Sequence, residues 1–288
     1  MSHVMNRLAY LLIMTLLLLC SSYGLSVETD SLKYRHIELQ INDYMGKIYN
    51  PDLQLNRQQY NDSIIKTFKD VLDDTSSFYY PFDSLRQIGV FDSPDGLFRI
   101  YNWAFPESGN NYHYHAFIQY YDENDENYRI YRLTDSSAHI REPENAVCSA
   151  DRWFGALYYD IIPTEFRGIK LYTLLGFDYN NISSRKKIIE VLKFNKDSTL
   201  QFGYPVFRAG KKLARRIVFE YSAKAVMTLR YDTNAEMIVY DHLSPPRPSM
   251  EGHYEFYGPD FSYDAFYFEN GYWNYKPDID IRNPEQEE

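Results

Sequence analysis

Two periodicities divide the chain. From residue 31 to about residue 74 the apolar positions recur at helical spacing, and from Ile88 onward they alternate with polar ones, the period of a strand. SLKYRHIELQINDYMGKIY brings Leu32, His36 or Ile37, Leu39 or Gln40, Tyr44 and Ile48 near one face. NRQQYNDSIIKTFKDVLDD repeats the arrangement with Tyr60, Ile64, Phe68, Val71 and Leu72. Asn50-Pro51 separates the two, because a residue before proline is pushed out of helical geometry. Two helices are expected, the second ending near Asp74.

The alternation beyond Ile88 predicts strands in GLFRIYNWAF, YHYHAFIQYY, YRIYRL, WFGALYYDII, IKLYTLLGF, KKIIEVLKF, TLQFGYPVF, RRIVFEYS, AVMTLRY, EMIVYDHL, AFYFE and YWNY. Ser93-Pro94-Asp95-Gly96 presets a tight turn, and Asn270-Gly271 is the strongest two-residue hairpin signal in the chain. SPPRPS, residues 244–249, reads as a stiff extended connection. No segment resembles the crossover helix of a parallel sheet. The fold class is therefore mainly β, an antiparallel meander of propeller, sandwich or barrel type with an N-terminal helical segment. The divisions are a signal peptide at 1–24, the helical segment at 25–85, the β domain at 86–282 and an acidic tail at 283–288. Twenty-nine Tyr and eighteen Phe fit this reading, since aromatic side chains favour half-buried pleated surfaces.

One grammar recurs at the turns: Phe91-Asp92, Tyr121-Asp122, Phe177-Asp178 and Tyr231-Asp232 each end a strand with an aromatic and open a turn with an aspartate. The longest acidic case, residues 122–127, invites comparison with a calcium loop. Such a loop needs glycine at its sixth position and glutamate at its twelfth, where this chain has Asn127 and Leu133. It is read as a hairpin turn, with Asp122 a turn-capping residue whose replacement by Asn costs less than about 1 kcal/mol.

Residues 8–19 form an apolar run of about a dozen residues behind Arg7, short for a membrane span and suited to a signal-peptide core. Ser22 and Gly24 allow cleavage after Gly24. Leu17-Leu18-Leu19-Cys20 loosely resembles a bacterial lipobox, which makes Cys20 a candidate for lipidation and a lipid anchor. Either route exports the chain to the periplasm, the outer envelope or the secreted fraction. No later stretch is apolar enough for a transmembrane span. Once the leader is removed Cys148 stands alone, so no internal disulfide forms, and with no basic neighbour in sequence it reads as a buried structural thiol. The formal charge of −10 argues against nucleic acid as a partner. Arg185-Lys186-Lys187 and the cluster at 211–216 read as solvated turns.

YTLLGFDYNNISSRKKIIEVLKF, FEYSAKAVMTLRYDTNAEMIVYDHLSPP and GHYEFYGPDFSYDAF resemble segments of an uncharacterised family of exported bacterial proteins. The resemblance spans roughly residues 85–282 and rests on the wording of strands and turns. It implies bacterial export and carries over no site residues.

Nucleophile-elbow, zinc-helix and dinucleotide motifs are absent, and Gly210-Lys211 fails as a P-loop ending because Gly203 lies too far upstream and Lys212 stands where Ser or Thr belongs. His113-Tyr114-His115 is the best metal candidate. Residues two apart on a strand share a face, so His113 and His115 can converge on one zinc, with Glu107, His139, His242 or His253 as third ligand. The carboxylates Asp241, Glu251, Glu255, Asp260 and Asp264 stand among Tyr254, Tyr257 and Tyr263, a combination suited to glycoside chemistry or, with Tyr254, Tyr257, Asp260 and Tyr263 as contacts, to sugar binding. The resulting expectation is an exported, non-enzymatic binding or accessory protein with a glycan or protein ligand and no cofactor. The alternative is an extracytoplasmic hydrolase, metal-assisted at His113 and His115 or using the C-terminal carboxylates.

Overall fold

The computed structural model describes residues 31–107, 111–123, 125–209 and 213–280. The apolar run at 8–19, Cys20, the cleavage position after Gly24, residues 210–212 and the tail at 283–288 lie outside the described residues. The chain divides into two compact units, one ending at Gln87 and the other beginning at Ile88.

The first unit is built on helices α1 (31–48) and α2 (Arg57–Leu72), joined through a 3-10 segment, Pro51–Asn56. Asn50 is extended before the proline and its side chain accepts a hydrogen bond from Asp52 N, so the helix breaks where the Asn-Pro pair placed the break. α2 buries Ile64, Phe68, Val71 and Leu72 as their spacing predicts, together with Asn61 and Ile65. α1 is turned from the expected face. Tyr34, Glu38, Ile41, Met45 and Ile48 are buried, whereas Leu32 and Leu39 are 64% and 62% exposed. The reason is polar. Glu38 accepts hydrogen bonds from Tyr80 Oη (2.8 Å) and Ser84 N (2.8 Å), and Tyr34 Oη meets Ser76 Oγ, so the inward face is set by bonded groups that an apolar count assigns to solvent.

The described residues of the second unit form three sheets. β1 (Gly89–Asp92), β2 (Phe98–Pro106), β3 (Tyr112–Asp122) and β4 (Asn127–Thr134) form the first as an unbroken antiparallel meander. β5 (Leu157–Phe166), β6 (Ile169–Asp178), β7 (Ser184–Phe194) and the short β8 (Leu200–Phe202) build the second. β9 (Phe207–Arg208) and β10 (Leu213–Ala214) open the third, β11 (Arg216–Ser222) returns to pair with β7, and β12 (Leu229–Asp232), β13 (Met237–Ser244), β14 (Gly258–Glu269) and β15 (Tyr272–Lys276) complete the third. Among the named strands of the described residues, the one parallel pairing joins β15 to β9. TLQFGYPVF, which alternates like one strand, is two, because Gly203 adopts a positive φ and Pro205 has no N–H for a ladder. SPPRPS does not stay extended throughout, since Pro248–Met250 closes a 3-10 turn.

The second sheet is the middle layer, and its period-two alternation shows in its partners. On β6 and β7, Tyr172, Leu174, Ile188 and Leu192 pack toward Phe98, Ile100, Tyr114 and Ile118 of the first sheet. Leu171, Leu175, Ile189 and Val191 pack toward Ile238, Tyr240, Phe266 and Trp273 of the third. A sheet covered on both faces carries apolar side chains at consecutive positions, which explains the runs in IKLYTLLGF and KKIIEVLKF.

The hairpin signals hold. Asn270 and Gly271, at φ +53 and +83, join β14 to β15, and Asp122 pairs with Asn127 across the β3–β4 turn. Asp122 is no solvated cap, however. It is buried and accepts from Arg129 Nε (2.7 Å) and Ser198 Oγ (2.6 Å), which ties the first sheet to the segment after β7 and removes the basis for a negligible Asn cost. Gly271 offers a direct test of turn geometry, because a Cβ there would overlap the Phe166 ring as well as strain the backbone. Gly271→Ala is expected to lose about 1–3 kcal/mol in urea unfolding. An unchanged midpoint would contradict this.

Candidate functional site

One end of the packing between the first and second sheets opens into a cleft of about 580 Å³. β3 brings His113 and Tyr114 to it, the segment after β4 brings Asp135 and Ser137, β6 ends there at Asp178, and β7 and β11 supply Lys186 and Glu220.

Asp135 fixes the wall. Its carboxylate accepts from Tyr114 N (2.9 Å), Ser137 N (2.9 Å) and Ser137 Oγ (2.5 Å), and Gly155 has no Cβ where one would overlap that carboxyl group. His113 Nδ1 stands 3.6 Å from it. Asp178 anchors the opposite side. Tyr114 Oη donates to its Oδ1 at 2.8 Å, Asn180 N donates to the same oxygen at 2.6 Å, and Lys186 Nζ lies 3.8 Å from Oδ2. Burial raises the Asp178 carboxyl above the usual range, against the pull of Lys186. Burial and the Asp178 charge push the Tyr114 hydroxyl far up, so it stays a donor.

The β6–β7 turn finishes the site. Asn180 sits at φ +49, a conformation asparagine tolerates better than most residues. It accepts from Lys186 Nζ (2.8 Å) and donates to Glu220 Oε1 (3.1 Å), which also accepts from Ser184 Oγ (2.5 Å). At the edge, Tyr112, which lines the cleft, stacks on Tyr179 with ring centroids 4.4 Å apart. Asp135, Asp178 and Glu220 are all engaged by donors from the chain itself. The arrangement is a pre-formed set of amide, carboxylate and ammonium groups beside an aromatic pair, chemistry that suits a hydroxyl-rich ligand.

The predicted histidines are neighbours, with ring centroids 5.0 Å apart, but they serve different surroundings. His113 borders the cleft with Glu107 and His139, whereas His115 is half-buried over Trp103 at 5.3 Å. Burial first, then the neighbouring His113 and Arg132, push its pKa down to about 3. Among the described residues no three His, Cys, Asp or Glu side chains gather in a way that could hold a metal ion. His242 and His253 stand elsewhere. His242 Nδ1 meets Asp264 Oδ2 at 2.8 Å on the third sheet, and His253 lies 3.6 Å from Glu255.

The C-terminal carboxylates are similarly engaged. Asp241 is buried and accepts from Thr228 N (2.6 Å), Asp264 also accepts from Tyr275 Oη (2.9 Å), and Asp260 accepts from Ser262 N and Oγ. Glu251 is exposed. Tyr254 and Tyr257 pair at 5.1 Å, and Tyr257 Oη accepts from Gly252 N. Neither these residues nor Tyr263 line the cleft.

Apart from His113, Glu107 and His139, the cleft residues were visible in sequence only as punctuation. Asp178 belongs to the strand-end aspartates, and Lys186 to a basic cluster read as a solvated turn. That reading is corrected by the structure: Lys186 faces Asp178, and Lys187 is half-buried, its ammonium 4.5 Å from the Tyr159 ring centroid and its pKa lowered by burial. Arg185 Nη1 donates to Tyr179 O at 2.9 Å. No helix among the described residues is long and apolar enough to cross a membrane. The chain matches no family model, no curated protein and no solved structure.

Proposed function

We propose that the protein is exported and acts as a non-enzymatic binding protein, with the cleft between the first two sheets as its ligand site and a glycan as its ligand. The observation that carries the reading is the cleft itself, where Asn180, Glu220 and Lys186 are held in place by each other and by Ser184 beside the Tyr112–Tyr179 stack. Hydroxyl-rich rings are bound by such pairings of planar polar groups with an aromatic face. Export is supported by the apolar run at 8–19 behind Arg7, and purified exported protein is expected to begin near Leu25 or at a lipid-modified Cys20.

Calorimetric titration of the full chain against neutral oligosaccharides tests the ligand. At least one is expected to bind, and Tyr112→Ala to weaken it roughly five- to tenfold, the scale of one aromatic contact. Failure of every saccharide, or binding untouched by Tyr112→Ala, would refute the assignment. Turnover of a bound saccharide would refute the non-enzymatic part.

A further inference from the structure

A second cavity, of about 350 Å³, opens toward the other end of β3. Tyr120 in its wall is six residues along the strand from Tyr114 in the first cleft, roughly 20 Å of extended chain, so the two do not share one small ligand. Its character is opposite. The first cleft is rich in carboxylates, whereas this one carries Lys170, Lys193 and Lys196 at its rim against a single acid, Glu123.

The lysine charges are poorly compensated. Lys170 Nζ is 3.9 Å from Asp95 Oδ2, an oxygen that already accepts from Tyr172 Oη at 2.7 Å. Among the described residues no carboxylate lies within 4.0 Å of Lys193 or Lys196. The exposed Lys170 and Lys196 thus bring two ammonium groups to this cavity on a chain whose formal charge is −10, while the Lys193 ammonium lies over the Tyr204 ring at 5.8 Å from its centroid. The floor beneath them is aromatic and fixed. Phe194 lies face to face with Tyr120 at 3.9 Å and 9°, with Phe98 at 5.3 Å and Tyr172 at 6.1 Å behind it.

We propose that this cavity is a binding site for an acidic sugar, a pyranose bearing a carboxylate or sulfate. The ring packs against the open side of the Tyr120–Phe194 pair and the anionic group sits between the Lys170 and Lys196 heads. Lysines act as point charges and accept either anion without the planar fork that arginine would impose. The volume is at the small end of the ~300–1,000 Å³ range of ligand sites, room for one or two sugar units and not for a long chain. This site is independent of the glycan assignment for the first cleft.

The test titrates the full chain with a uronate disaccharide, a sulfated disaccharide and the neutral disaccharide of the same size. At least one acidic probe is expected to bind, more weakly in high salt, and the neutral one to bind at least tenfold more weakly, because it lacks the charge-assisted hydrogen bond. Lys170→Gln and Lys196→Gln alter exposed side chains. Each is expected to weaken the acidic probe by about tenfold. Tyr112→Ala leaves it unchanged. The preferred probe identifies the anion. Binding of neither acidic probe, neutral binding that equals the acidic and is untouched by Tyr112→Ala, or a Lys170→Gln/Lys196→Gln double variant that binds as the parent does would each overturn the proposal.

Discussion

Replacing Arg216 by methionine is expected to lower stability by about 3–5 kcal/mol, the cost of leaving a buried charge without its partner. Arg216 and Glu190 are opposite each other in the β11–β7 ladder, and both are fully buried. Arg216 Nε and Nη2 donate to Glu190 Oε2 at 2.9 and 2.5 Å, and Tyr158 Oη donates to the other carboxylate oxygen. Trp153 Nε1 donates to Tyr158 Oη at 2.6 Å, and Arg216 Nη1 reaches the Pro143 carbonyl. Without the guanidinium, the Glu190 carboxylate keeps only the Tyr158 hydroxyl in a site closed to water. Urea unfolding measures the loss. A second variant separates charge from volume: Glu190→Leu with Arg216→Met is expected to recover much of the deficit, because a buried pair exchanged for apolar groups of similar size is often close to neutral. A single variant within about 1 kcal/mol of the parent would show that Glu190 is satisfied without Arg216.

Stability is also expected to fall in mild acid because of His115. Its folded pKa lies at about 3 and its ordinary value at 6.5, so the unfolded chain takes up the proton first. The contribution of the neutral ring is present above pH 6.5 and is lost progressively as pH falls toward 3. Each unit of pKa difference corresponds to about 1.4 kcal/mol, which makes the full loss a few kcal/mol. Other groups act in the opposite direction, among them Asp160, whose carboxyl burial raises. Asp178, with its carboxyl raised by burial, favours the folded state as it protonates on acidification. His242, raised by its hydrogen bond to Asp264, contributes below its ordinary value and loses that contribution as pH rises through the folded one. Urea midpoints at pH 7 and pH 4.5 for the parent and His115→Phe isolate the first effect. The phenylalanine variant is expected to show the shallower decline, and equal declines would remove His115 as the cause.

What could be read before the structure follows from which forces act locally. The alternation of YHYHAFIQYY and the Asn270-Gly271 turn are local, and β3 and the β14–β15 hairpin stand where they placed them. The α1 face was misjudged because its inward side includes Glu38, whose partners Tyr80 and Ser84 are some forty residues away in sequence. Asp122 was misjudged similarly, since Ser198 lies on a different sheet's turn. The cleft was illegible for the same physical reason. Asp178, Lys186 and Glu220 meet across the paired strands β6, β7 and β11, a pairing no single stretch of sequence states, and only the face-to-face packing of two sheets brings Asp135 to the same opening. His113 was chosen from sequence, with the cleft residues Glu107 and His139 among its possible third ligands, through a spacing argument that placed His115 beside it but said nothing of the Trp103 surface beneath.

The parallel pairing of β15 with β9 has a consequence for how the protein is made. β15 lies inside the third sheet, between β14 and β9, and Trp273 fills the core there with its Nε1 donating to Thr173 Oγ1 at 2.9 Å. On the ribosome β9 emerges well before β15, so during that interval β9 has no partner but β10 and the place of Trp273 beside Phe207 stands open. Synthesis can finish the first two sheets strand by strand as they appear, but the third closes only when its latest strand slides between two that are already waiting.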